Sequence, residues 1–391
     1  MTAGALYLLE PDAAEPAWAP FAGVRPVAEL RAGLWRIRER WEAALRQNAT
    51  AILGAHVAGF TELDEPPTRA LGSVTGPAVV AASWFAPSGA AIAFDPELRR
   101  LVHEGTTVAW IVPPGGSWKG PGDAGPAAEI EGIRLRGTFD LINALERLLA
   151  EDCADFRTAP RQPVPEGSVV LGDPADVICL NALVEPGVVF DVRHGAVVLD
   201  EGVEVRHGTR LEGPLYAGPG TRLLGGAIRE SVFGPECRIR GEISATVFLG
   251  YGNKAHDGFV GHSVVGHWVN LGAGTTTSNL KNTYGEVRLE VAGHRIPTGR
   301  LNLGSLFGDH AKTAIGTMLA TGSVISAGAN VFGTAMPPKY VPPFAWGDAG
   351  KRMSEDGFLT VAQRVFGRRK LEWTDARRTS LRQTYRRAVR T

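Results

Sequence analysis

From Phe307 to Val331 an apolar or small residue falls at every sixth position: Phe307, Thr313, Leu319, Ile325 and Val331. Ala311, Thr317, Ser323 and Ala329 form a second register, four residues behind the first. A helix repeats every 3.6 residues and a strand every two, so neither produces this pattern. It predicts a left-handed parallel β-helix. Each hexapeptide covers one flat side of a triangular prism, and three make a coil of about 18 residues. The large residue of each hexapeptide points inward and the small one sits near the corner.

The same period runs through Leu199, Val205, Leu211, Ala217 and Leu223, with corner partners Val203, Thr209, Leu215, Thr221 and Ala227. It returns at Phe259, Val265, Leu271 and Thr277, then breaks over 279–300, where Val287, Leu289 and Val291 predict an extruded hairpin. The repeat thus covers roughly 166–335 with interruptions, in a β-helix domain of 166–350. Residues 1–160 alternate strand-like and helix-like segments, which predicts an α/β layer domain. Strands are expected at Ala5–Leu9, Ala51–Val57, Ala78–Phe85 and Thr107–Val112. Helices are expected over Val27–Leu45, Glu97–His103 and Phe139–Phe156. The proline-rich stretch Pro160–Pro165 reads as a linker. The tail, 351–391, predicts two helices, Leu359–Phe366 and Thr374–Val389. It carries twelve Lys and Arg against four Asp and Glu. It reads as a cap on the open end of the solenoid, or as a phosphate-contacting segment at a subunit interface.

Forty-one basic and 41 acidic residues balance, so no global field draws nucleic acid or a membrane surface. The 49 glycines and 26 prolines suit a coil-and-corner architecture. Three scattered cysteines form no CxxC pair, and the N-terminus lacks the basic and apolar regions of a leader. A cytoplasmic protein is the expectation.

Chemistry concentrates between Gly250 and Thr275, which hold Lys254, His256, Asp257, His262, His267 and Asn270. The block GYGNKAHDGFVGHSVVGHWVNLGAGTTTSNLKNTYGEV resembles a branch of sugar nucleotidyltransferases. That branch is related to the bifunctional N-acetylglucosamine-1-phosphate uridyltransferase/glucosamine-1-phosphate acetyltransferase. FGDHAKTAIGTMLATGSVISAGANVFG, PPKYVPPFAWGD and RPVAELRAGLWRIRERWE fit the same branch. The resemblance implies acetyl-CoA as acetyl donor, an amino sugar phosphate as acceptor and a homotrimer. It makes His256 the catalytic base. Asn270 and Asn279 match asparagines of the sugar and cofactor site, and Arg240 a phosphate-binding arginine. Lys254 stands in for a phosphate-binding lysine, and Asp257 is a further substrate-side candidate. The resemblance places Asp309, where a serine is expected, with Lys312 and Ala327 at the cofactor. Phe259 falls where a substrate-contacting tyrosine is expected. The chemistry of His256 stands independently: an amine attacking a thioester must shed a proton, and imidazole, titrating near neutrality, can take it.

His262 and His267 admit a second reading. Their spacing is that of γ-class carbonic anhydrases, which share this β-helix and bind zinc through histidines of two subunits, with His256 as a third ligand. A third reading is a non-catalytic sugar-nucleotide-binding protein. In the N-terminal domain the resemblance implies coupling of a sugar 1-phosphate to a nucleoside triphosphate with Mg2+. No glycine-rich phosphate loop follows the first strand, which runs into Pro11-Asp12. Asp12 is a candidate Mg2+ ligand. Arg25 and Arg31 are phosphate candidates or partners of Glu29 and Glu39. Lys119 lies in a glycine- and proline-rich loop, read as a surface loop or a phosphate loop.

Overall fold

The computed structural model describes residues 4–12, 15–62, 65–89, 91–92, 95, 97–347 and 350–389. The N-terminal layer is built on β1 (Ala5–Leu9), α1 (Ile37–Leu45), β2 (Ala49–Leu53), β3 (Ala78–Ala82), β4 (Arg100–His103), β5 (Thr106–Val112) and α2 (Asp140–Ala154). In its seven-stranded sheet Ala127–Glu129 is followed by β4, β5, β3, β1, β2 and Thr68–Arg69. β1 is parallel to both β2 and β3, while β5 is antiparallel to β3 and β4. The Leu6, Leu8, Val79 and Ala81 face packs on Trp41 and on Leu141, Leu145, Leu148 and Leu149 of α2. Burial of such leucines stabilises by about 1.5–3 kcal/mol each.

Three expected elements come out differently. Over 27–45 only Ile37–Leu45 is α-helical. Val27–Glu29 is a single 3-10 turn, and Arg31–Ala32 pairs with Trp35–Arg36 around Gly33, whose φ is 69°. The expected helix at 97–103 is strand β4. Glu104 and Gly105, both at positive φ, turn it back into β5. The strand expected over 51–57 is β2, and it ends at Leu53, with Gly54 leading into a 3-10 turn at Ala55–Val57.

The second half is the expected left-handed hexapeptide prism. Its first side stacks six strands, from Val169–Leu171 to Phe259–Gly261. The second stacks nine, from Val177–Cys179 to Tyr340–Val341. The third runs from Leu183–Val184 to Ala345–Trp346 and ends on the antiparallel Lys351–Arg352. Val197 pairs with Leu215, and Leu306 with Val324, so those coils advance by the expected eighteen residues. Phe233, Phe248, Val265, Phe307 and Ile325 fill the interior. Their neighbours Val232, Val247, Val264, Leu306 and Val324 point outward and join the core of the N-terminal layer. The second side is therefore apolar on both faces, as a parallel sheet covered on both faces must be. At the Phe259 position the register slips by one: Val260 takes the interior place and Phe259 lies half-buried. The hairpin forms as Arg288–Val291 and His294–Pro297.

Two helices follow, α3 (Glu355–Arg368) and α4 (Asp375–Ala388), capped by Ser354 and Thr374. Phe358 and Leu359 cluster with Phe344 and Met353, with Leu381 and Tyr385 packed beside them. That cluster covers the last coil, where an open solenoid end would leave apolar interior exposed.

Candidate functional site

Asn253 and Lys254 form one short strand on the third prism side, and His256 and Asp257 occupy the corner that follows. His256 is exposed. Asp257, whose side chain is 79% exposed, accepts from Arg240 Nε at 3.0 Å, and Arg240 Nη1 also donates to the Leu224 carbonyl at 2.9 Å. The Asp257 carbonyl receives the amide of Gly274 from the next coil. One coil on, Asn270 continues the ladder: Asn253 Nδ2 donates to Asn270 Oδ1 at 2.6 Å. His256, Asp257, Arg240 and Asn270 thus lie on successive coils along one edge and side of the prism.

Lys254 does not point outward with them. It pairs with Ile239 at the inward position, is wholly buried, and donates to the carbonyls of Arg240 (3.2 Å) and His256. Burial pushes its ammonium down to about 8. It braces the backbone of the histidine corner from inside, and no phosphate reaches it there.

Asn279 lies elsewhere. Its Nδ2 is 2.8 Å from His262 Nδ1. His262 follows the strand Phe259–Gly261, and His256 precedes it. Asn279 and His256 therefore stand at opposite ends of one prism side. His267 occupies the third corner, where Nδ1 contacts Glu62 Oε1 at 2.9 Å. The three histidines expected to share zinc are thus on three different corners of their coil, two of them engaged by Asn279 and Glu62. Among the described residues no group of three His, Cys, Asp or Glu side chains is placed to hold a metal.

Arg25, a candidate for phosphate, is buried in a charge cluster between the domains. It donates to Asp309 Oδ2 at 2.8 Å and to Glu62, lying over the Phe60 ring. Asp309 Oδ1 accepts the His267 amide (2.9 Å), and Glu62 Oε1 the Trp268 indole (2.8 Å). Burial pushes the Asp309 carboxyl up against the pull of Arg25. Burial also opposes ionisation of Glu62, yet Arg25 and His267 hold it well below the usual carboxylate range. Asp309 is consequently a structural partner of the N-terminal domain, and Ala327 lies buried beside it, facing α3 and α4. Of the three residues expected at the cofactor, Lys312 alone lines a roomier cavity. Arg31 donates to the carbonyls of Leu34 (2.6 Å) and Leu249 (3.3 Å) and edges an interdomain cavity of about 250 Å3.

The open cavity of the N-terminal domain is a different one, of about 330 Å3, lined by Pro11, Asp12, Glu15, Trp18, Trp84, Arg134, Leu135 and Arg136. Pro11 and Asp12 follow β1 and Trp84 follows β3. After β1 the chain goes to β2 on one flank and later returns to β3 on the other. The cavity is therefore at the carboxyl ends of the strands, where their order reverses and ligands of open α/β sheets bind. Arg134 and Arg136 are both exposed, and Arg136 is fixed by Asp140 through two bonds of 2.8 Å. Glu10, at the end of β1, is buried and holds the amides of Val27 and Ala28; burial pushes its carboxyl up to about 7. Lys119 follows Ser117–Trp118, which pairs with Val74–Thr75 just ahead of β3, at the opposite end of the sheet.

Residues 7–159 match the family model for sugar nucleotidyl transferase. The domain with the switch-point cavity is thus similar to nucleotidyltransferases, in line with the resemblance read from the sequence. The chain is also 31% identical over 184 residues to a Sulfurisphaera tokodaii protein named bifunctional sugar-1-phosphate nucleotidylyltransferase/acetyltransferase. The match covers 41% of this chain and 44% of that protein, so it spans less than half the relative's length. Arg134, Arg136 and Glu15 were missed by sequence reasoning. Arg134 ends the short strand Gly132–Arg134, whose place beside the cavity depends on pairing with Phe85–Pro87, and Arg136 lies two residues beyond it.

Proposed function

We propose that the chain is a transferase with two reaction centres. The prism moves an acetyl group from acetyl-CoA to an amino sugar phosphate, and the N-terminal domain couples a sugar 1-phosphate to a nucleotide. One observation carries the reading: a domain matched by the sugar nucleotidyl transferase model is joined to a hexapeptide prism with an exposed histidine at a coil corner. The relative from Sulfurisphaera tokodaii bears a name that pairs the same two activities.

At the prism, the acceptor amine attacks the thioester carbonyl carbon, forming the C–N bond, while His256 takes the amine proton. The tetrahedral centre collapses with loss of the C–S bond, and the proton passes to the leaving thiolate. Corner amides suit the developing oxyanion. Arg240 and Asn270 hold the acceptor, Arg240 as the phosphate partner. Because Asn279 stands at the far end of the prism side from His256, its part in the site comes from a neighbouring copy, which favours a homotrimer. In the N-terminal domain, Arg134 and Arg136 face the phosphates. Asp12 and Glu15 fit Mg2+, which is commonly held by one or two carboxylates plus substrate phosphates; bound there it would neutralise phosphate charge.

The test is a pair of assays on the full chain. Pyrophosphate release is followed with a panel of nucleoside triphosphates and sugar 1-phosphates, and thiol release with acetyl-CoA and amino sugar phosphates. Arg134→Ser should abolish the first and leave the second; inertness in both assays would remove the reading.

A further inference from the structure

A cavity of about 250 Å3 lies between the third prism side and the C-terminal end of α3. Tyr251, Asn253, Trp268, Asn270 and Lys312 line it from the prism. Val365, Arg368 and Arg369 line it from the helix. Three cations therefore face one space, and no carboxylate is part of its wall. Among the described residues Lys312 Nζ has one bond, to the His310 carbonyl at 3.0 Å. Among the described residues, neither Arg368 nor Arg369 makes a side-chain hydrogen bond or salt bridge. Glu236 acts on Arg369 through its charge, but its carboxylate is already bound to Arg238 at 2.9 Å. Burial lowers both Lys312, to about 8, and Arg369. Like charges gathered in a half-buried space without counter-ions repel one another and lose hydration. A bound anion relieves both penalties. Asn253 and Asn270 add neutral polar groups, and the stacked Tyr251 and Trp268 rings (4.2 Å) make one wall rigid.

We propose that this cavity binds a phosphate group of an anionic ligand, gripped by Lys312 from the prism and by Arg368 and Arg369 from α3. The basic tail then has a role besides covering the last coil: it supplies half of a phosphate clamp. Two ligands of the proposed acetyl transfer carry such a group, the nucleotide end of coenzyme A and the sugar phosphate. The clamp rests on that reading for the identity of its ligand and on the geometry alone for its existence.

Isothermal titration of the full chain with inorganic phosphate, coenzyme A, 3′-dephospho-coenzyme A and glucosamine 1-phosphate tests it. The double variant Arg368→Ser/Arg369→Ser, Lys312→Met and the control Arg364→Ser are titrated alongside, with circular dichroism to confirm folding. The double variant and Lys312→Met should each weaken phosphate binding by roughly tenfold or more, as loss of charged hydrogen bonds does, while Arg364→Ser binds as wild type. A preference for coenzyme A over its dephospho form that vanishes in the double variant identifies the 3′-phosphate as occupant. A preference for glucosamine 1-phosphate identifies the sugar. Affinities unchanged in folded variants, or no binding of any probe at millimolar concentration, overturn the proposal. Binding lost in the variants of a chain that transfers no acetyl group keeps the clamp and removes the acetyl-transfer reading.

Discussion

Lys254 shows how one residue can read one way in sequence and act another in the fold. It stands fifteen residues after its partner Ile239, because the middle coils are shorter than eighteen. The six-residue count loses register there, and the resemblance alone placed Lys254 at a phosphate. The ladder instead turns it inward. Its folded-state value of about 8 lies below the ordinary 10.5, so the unfolded chain binds the proton more readily between those pH values. Stability contributed by Lys254 must therefore rise with pH across that window. The melting temperature of wild type minus that of Lys254→Met is expected to increase from pH 8 to pH 10; a flat or falling difference would contradict the buried-ammonium assignment. Arg25 was equally opaque, since its partner Asp309 is 284 residues away. Removing one member of a buried ion pair strands the other, at a cost of about 3–5 kcal/mol. Arg25→Met should lose stability on that scale in urea and open the interdomain seam to protease. A loss below about 1 kcal/mol would mean the cluster is dispensable.

At the level of elements, the prism and α2 were legible because their periods recur over many residues, in the prism despite its breaks. The short elements of the N-terminal layer were less so. Gly33 and the Glu104-Gly105 turn cut helical spacing into hairpins, and apolar periodicity is blind to a turn of two residues. The terminal helices make their own prediction. Phe344, Phe358 and Leu359 bury one another, and α4 reaches the N-terminal domain through Arg377 Nε on the Glu62 carbonyl (3.0 Å) and Ser380 Oγ on the Thr61 amide (3.0 Å). A chain ending at Gly350 should expose the last coil and aggregate, visible as light scattering below the full chain's melting temperature. A monodisperse truncation of unchanged stability would show that α3 and α4 do not cover the prism end.

Across the whole molecule, the second prism side is taken up by the N-terminal domain, so any partner copy must use the other two. No helix among the described residues is long and apolar enough to cross a membrane. The corner that carries His256 could be placed from the hexapeptide period, while the cavity beside Asp12 could not, because it exists only where β1 and β3 end side by side. The most direct measurement is thiol release from acetyl-CoA with glucosamine 1-phosphate and a panel of amino sugar phosphates, with wild type and His256→Ala compared at matched folding. Turnover by wild type, reduced roughly 10²–10⁴-fold in the variant, is the predicted result for loss of a general base. Equal turnover by the two proteins, or none by wild type on any amine, would contradict His256 as the base of an acetyl transfer.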